Sequence, residues 1–182
     1  MALELLLKTK RRFRAPAESV PLSKLALQSL DLANNDIRLP VSVQSLFQEA
    51  VGFSDLRKLD LSNNTIGNEG ISVVAGALQY RSQLRSLLVA NCGFDLEGGR
   101  SFFSSVGRNH SLEHLVVDHN DLSGSLNRQK VLKDMFFNNK TLAHVSLAHC
   151  NICETGAAQI SRGLGFSNKL VGLNLADNNV GD

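Results

Sequence analysis

The sequence predicts an α/β solenoid in which short parallel strands alternate with outer helices. Three observations carry this. An eleven-residue pattern, Leu-x-x-Leu-x-Leu-x-x-Asn/Cys-x-apolar, occurs six times. Its first position advances by 29, 28, 28, 30 and 28 residues from copy to copy. Leu and Asn are enriched together, at 30 and 16 of 182 residues, as a repeat with fixed apolar positions and a fixed amide position requires.

In chain order the copies are as follows. The first is Leu27, Leu30, Leu32, Asn35, Ile37, and the second is Leu56, Leu59, Leu61, Asn64, Ile66. The third is Leu84, Leu87, Val89, Cys92, Phe94, and the fourth is Leu112, Leu115, Val117, Asn120, Leu122. The fifth is Leu142, Val145, Leu147, Cys150, Ile152, and the sixth is Leu170, Leu173, Leu175, Asn178, Val180. The middle of each copy alternates apolar and polar residues, which predicts a short strand. Helical spacing follows. Gly67, Gly70, Ile71, Val74, Ala77 and Leu78 fit an amphipathic helix after a tight turn. Phe102 and Val106, Leu132 and Phe136, and Ile160 and Leu164 repeat the spacing in later copies. Stacked units give strands about 4.8 Å apart, helices outside and one continuous core. Val41–Ala50 is the expected helix of the first copy, and Ser123-Gly124-Ser125 marks a bulge in the longer fourth copy.

These copies resemble the leucine-rich repeat, and their period is similar to that of the ribonuclease-inhibitor-like class. The resemblance covers Leu22–Asp182, taken as a repeat domain (22–182) whose last repeat is incomplete. It implies a curved horseshoe with the sheet on its concave side. It also implies that Asn35, Asn64, Cys92, Asn120, Cys150 and Asn178 turn inward to satisfy loop backbone groups that burial would orphan. It names no partner, because the class serves many. Residues 1–21 do not match and are expected to form a cap or basic segment, with Lys8, Lys10, Arg11, Arg12 and Arg14 read as a solvated run ahead of a nuclear-import or acidic-surface-binding motif. The sequence stops where the sixth helix is due, so the array is expected to continue or to be covered by a partner.

Composition excludes several classes. Net charge is +2, and Met1–Arg14 holds five basic residues and one acid, so a nucleic-acid-binding body is not expected. No apolar run reaches membrane-spanning length. Three Cys without an export signal point to an intracellular, cytoplasmic setting, with a nuclear one open. The sequons at Asn63, Asn109 and Asn139 are about as many as chance allows. No phosphate-binding loop or Gly-x-Ser-x-Gly elbow occurs, so neither catalysis nor a cofactor is expected. Cys150 and Cys153 form C-x-x-C, read as a ladder residue and a turn residue ahead of a metal site.

Partner contacts are expected on the concave face at Lys58, Asp60, Leu88, His114, Val116, Asp118, His144 and Ser146. Leu88 and Val116 are apolar at the fifth motif position, where solvent is expected, and should adjoin. His114 with His144, and His119 with His149, occupy matching positions on neighbouring strands, so each pair should lie about 5 Å apart. A polar partner-facing surface is the primary reading of these histidines, with a pH-sensitive or metal-binding patch second. The expected function is non-enzymatic protein binding. Two alternatives are a structural subunit of a large cytoskeletal, ciliary or ribonucleoprotein assembly, and a RanGAP-like GTPase activator using Arg38.

Overall fold

In a computed structural model the described residues are 27–39, 55–79, 83–124, 126–166 and 169–181. The basic segment 1–21 and the expected helix Val41–Ala50 lie outside them. Six strands form one parallel sheet in chain order. They are β1 (Ser29–Asp31), β2 (Lys58–Asp60), β3 (Ser86–Leu88), β4 (His114–Val116), β5 (His144–Ser146) and β6 (Gly172–Asn174). One helix follows each of β2 to β5: α1 (Gly67–Leu78), α2 (Leu96–Arg108), α3 (Leu126–Asn138) and α4 (Glu154–Leu164).

The register pairs equal motif positions throughout. Leu30, Leu59, Leu87, Leu115, Val145 and Leu173 stand in one column. Leu59, Leu87, Leu115 and Val145 are buried there. Three-residue strands have no independent stability. Here the lateral ladder continues past each strand into the turn, as where Leu61 N–H donates to Leu88 O and Asn63 N–H to Ala90 O, both within 2.9 Å. Neighbouring repeats therefore hold one another.

Each helix packs on the next, α1 on α2, α2 on α3 and α3 on α4. Packed helices need about 8–10 Å between axes and paired strands only about 4.8 Å, so the sheet becomes the inner face of a curve. Small residues narrow the helical side. A Cβ on Gly163 would lie 2.6 Å from Lys133 O and 2.9 Å from Phe136 Cβ, so α4 reaches the backbone of α3 only because that residue is glycine. Larger residues fill the middle of the core: Phe94, Phe102 and Phe103 meet edge to face at 5.9 and 5.4 Å. The start of α2 is capped by Asp95, whose carboxylate accepts Gly98 N–H at 3.0 Å.

Candidate functional site

Strand side chains alternate, so the third and fifth motif positions project from the sheet face away from the helices. The register sets Lys58, Ser86, His114 and His144 in one row, and Asp60, Leu88, Val116 and Ser146 in the row beside it. Seven of the eight expected contacts thus share two adjoining rows, and Asp118 lies two residues past Val116. Lys58, His114 and His144 are exposed. Leu88 and Val116 are direct neighbours, as expected, but half-buried where an exposed spot was expected. The apolar spot is shallow, with charge at one end (Lys58, Asp60) and polar groups at the other.

The histidines stack. His114 and His144 lie face to face with centroids 4.9 Å apart and planes 2° from parallel. His119 and His149 are 4.3 Å apart at 10°. The two pairs have different origins. His144 leans over Gly172, where a Cβ would come within 2.7 Å of its Nδ1. His119 and His149 occupy the eighth motif position, where every repeat turns left-handed: Asn34, Asn63, Asn91, His119, His149 and Asp177 all have φ between 49° and 58°. Asn, Asp and His tolerate that conformation better than other L-residues. The row is a turn requirement first. Its side chains also interact, as Asn91 Nδ2 donates to Asn63 Oδ1 at 3.0 Å and His149 Nε2 lies 3.1 Å from Asp177 Oδ2. Among the described residues no three His, Cys, Asp or Glu side chains converge as a metal site.

Two of the expected contact residues also serve the backbone. The N–H at the seventh position needs an acceptor at the mouth of each turn. Asp31, Asp60 and Asn174 accept it within their own repeats, from Ala33, Ser62 and Ala176. Leu88 cannot, and Ser62 Oγ reaches across to Ala90 N–H instead. Ser146 does not, and Asp118 Oδ1 takes Ala148 N–H at 2.9 Å. Asp118, the odd residue in a row of small ones, is there as a bridge between repeats.

Beneath the turns runs the inward ladder. Asn120 Oδ1 accepts Cys92 N–H at 3.0 Å, and its Nδ2 donates to Val89 O at 2.9 Å and Val117 O at 2.7 Å. Asn64 and Asn178 repeat this pattern, accepting Asn35 and Cys150 N–H, and each accepts one more N–H, from Ile37 and Ile152. Cys92 and Cys150 replace it with thiols whose single S–H lies within reach of two carbonyls, Leu61 O and Ala90 O for Cys92, and Val117 O and Ala148 O for Cys150. Burial pushes the Cys92 thiol up to about 12 and the Cys150 thiol to about 11, so both are inert near neutrality. Cys153 stands apart at the start of α4, with its Sγ 3.0 Å from Thr155 Oγ1. The C-x-x-C spacing therefore joins a ladder residue to a turn residue.

A second ladder on the other side of the core was not foreseen. Asn109 and Asn139, seen in the sequence only as sequons, are buried. Each closes the turn after a helix: Oδ1 of Asn109 accepts Ser111 and Leu112 N–H while Nδ2 reaches back to Leu78 O. Asn139 does the same with Thr141, Leu142 and Val106 O. The signal was present as Asn-x-Ser/Thr-Leu placed identically before the fourth and fifth copies.

No helix among the described residues is long and apolar enough to cross a membrane. Comparison with known proteins agrees with the repeat geometry. Family models described as Leucine Rich repeat match residues 54–75 and 26–46. The chain is 28% identical over 158 residues to human NACHT, LRR and PYD domains-containing protein 13, covering 86% of this chain and 15% of that protein. It is 29% identical over 128 residues to pig ribonuclease inhibitor, covering 70% of this chain and 28% of that one. It therefore spans only a small part of the relatives it matches. Among solved structures, leiomodin-1 actin-binding site 2 superposes with a TM-score of 0.60 at 19% identity, covering 82% of this chain and 92% of that one, which shows a shared fold. Six in-register strands, an Asn/Cys ladder and these matches make the chain a leucine-rich-repeat solenoid, similar to the ribonuclease-inhibitor-like class.

Proposed function

We propose that the chain is a non-catalytic binding module that holds another protein against the open, concave face of its sheet. The observation that carries this reading is the adjacency of Leu88 and Val116 inside a polar and charged frame on a rigid face. Interface energy concentrates in a few central residues that lose water on binding, and charged flanks fix register. A ladder-braced sheet loses little ordering entropy when it binds. Lys58 and Asp60 serve as one flank, and His144 and Ser146 as the other. His114 and Asp118 border the apolar spot, and Asp118 keeps one carboxylate oxygen beyond the one that accepts Ala148 N–H. The likeness to a protein named ribonuclease inhibitor supports binding of a protein partner. A reducing, intracellular setting goes with the reading, because none of the three cysteines is paired in a disulfide.

The test is affinity capture to identify the partner, then titration of it against Leu88→Asp/Val116→Asp. Both side chains are half-buried at the surface, so circular dichroism should be unchanged. Affinity should fall by at least ~2 kcal/mol, about 30-fold. Equal affinity of the double variant and the parent would sink the concave-face reading.

A further inference from the structure

The edge of the sheet where the strands begin carries a second surface, distinct from the concave face. Its floor is the second motif position, whose backbone forms an unbroken ladder: Arg57 to Arg85, Arg85 to Glu113, Glu113 to Ala143 and Ala143 to Val171, each N–H donating to the preceding carbonyl at 2.8 Å. A groove runs along this edge. Its lining includes Arg57, Arg85, Lys140, Lys169 and His110, with Glu113 the only acid among the described residues that line it. Glu113 is already paired with Arg85. Arg57, Lys140 and Lys169 are balanced by no acid among the described residues of the groove.

Next to this charge is the most exposed aromatic surface of the described residues. Phe137 is 41% and Phe166 60% exposed, and the two rings meet edge to face at 4.8 Å. Lys140 joins the aromatic pair to the groove. Its Nζ donates to Phe137 O at 2.7 Å and to Phe166 O at 3.0 Å and sits 5.7 Å from the Phe137 centroid. Exposed apolar side chains beside unbalanced cations mark a binding surface more strongly than either feature alone.

We propose that this edge binds an extended acidic peptide segment of a partner protein, whose apolar end seats against Phe137 and Phe166. Charge sign selects the acidic segment, and the aromatic pair selects a peptide with an apolar anchor. The dimensions agree. From the row of Arg57 to that of Val171 there are four strand spacings, about 19 Å, which about six residues of extended chain would span.

The probe is a fluorescein-labelled acidic peptide ending in Leu-Phe, followed by fluorescence anisotropy at low and at physiological salt. The expected result is saturable binding that weakens with salt. Arg57→Glu/Lys169→Glu should weaken it by at least ~tenfold through like-charge repulsion, and Phe166→Ser should weaken it while leaving most of the salt dependence. These side chains lie at the surface, and unchanged circular dichroism certifies the fold. Leu88→Asp/Val116→Asp should bind the probe like the parent, which separates this edge from the concave face. The proposal is overturned by absence of binding, by equal binding of a lysine-substituted peptide, or by a charge-reversed variant that binds normally. A single-stranded oligonucleotide that binds more tightly than the peptide would overturn it as well, by assigning the edge to nucleic acid.

Discussion

Asn120→Ala should be among the most damaging single substitutions in the chain, and Asn120→Cys markedly milder. Asn120 is 2% exposed and makes three short hydrogen bonds to main chain, to Cys92 N–H, Val89 O and Val117 O. Alanine removes all three partners and leaves Cys92 N–H, Val89 O and Val117 O unpaired beneath the turns. An orphaned buried polar group costs about 1–3 kcal/mol, and three together about 3–6 kcal/mol after partial relaxation. That is a large share of the roughly 5–15 kcal/mol stability of a domain this size. Cysteine fills the position natively in two repeats. There the single S–H of the thiol lies within reach of two carbonyls, so it serves in part the groups that the amide serves in full. Asn120→Cys should therefore recover about half of the loss, roughly 2 kcal/mol, by the same count of satisfied groups. Urea unfolding followed by circular dichroism would measure both variants, with the slope checked because repeat arrays can lose cooperativity. A loss below about 1 kcal/mol for Asn120→Ala, or equal losses for the two variants, would refute the reasoning.

Other outcomes follow from the same geometry. Gly163→Ala should lower the melting temperature, with a cost of about 1–3 kcal/mol, because the new Cβ collides with Lys133 O. Gly165→Ala is the control: its nearest neighbour is Arg162 O at 3.8 Å and its φ is −55°, so it should be neutral or slightly stabilising. A maleimide at pH 7.5 should modify Cys153 in the folded protein and leave Cys92 and Cys150 unreacted until urea is added, read by mass spectrometry; fast labelling of all three would contradict the burial. The same two thiols make stability pH-dependent. Their folded values, about 12 and about 11, lie above the ordinary 9.0, so their contribution is complete below pH 9 and is lost as pH rises toward 11–12. Urea midpoints measured from pH 8 to 10.5 should fall, and fall less in Cys92→Ala/Cys150→Ala compared with its own value at pH 8.

The repeat frame was legible in the sequence because its determinants are local and periodic. Leu59, Leu87 and Leu115 are inward in the structure because the alternation in each copy puts them on one face of a strand. The inward Asn/Cys row could be assigned through the family resemblance, and the spacing of His114 and His144 followed from strand geometry alone. The left-handed turn row was written in the sequence too, as Asn34, Asn63, Asn91, His119, His149 and Asp177, but these residues differ chemically, and only their shared positive φ shows what they have in common. Three things were decided by tertiary structure. Asp118 bonds to Ala148 N–H because Ser146 leaves that group unserved, a compensation between side chains on different repeats that no single copy displays. Asn109 and Asn139 become core residues only once successive helices bring Leu78 O and Val106 O within reach of their amides. Phe137, Phe166 and Lys140 come together because α3 and α4 end side by side, at positions the motif does not cover. Periodic residues reveal their surroundings because each copy is the environment of the next. Residues that depart from the period acquire a role only from the neighbours that folding brings to them.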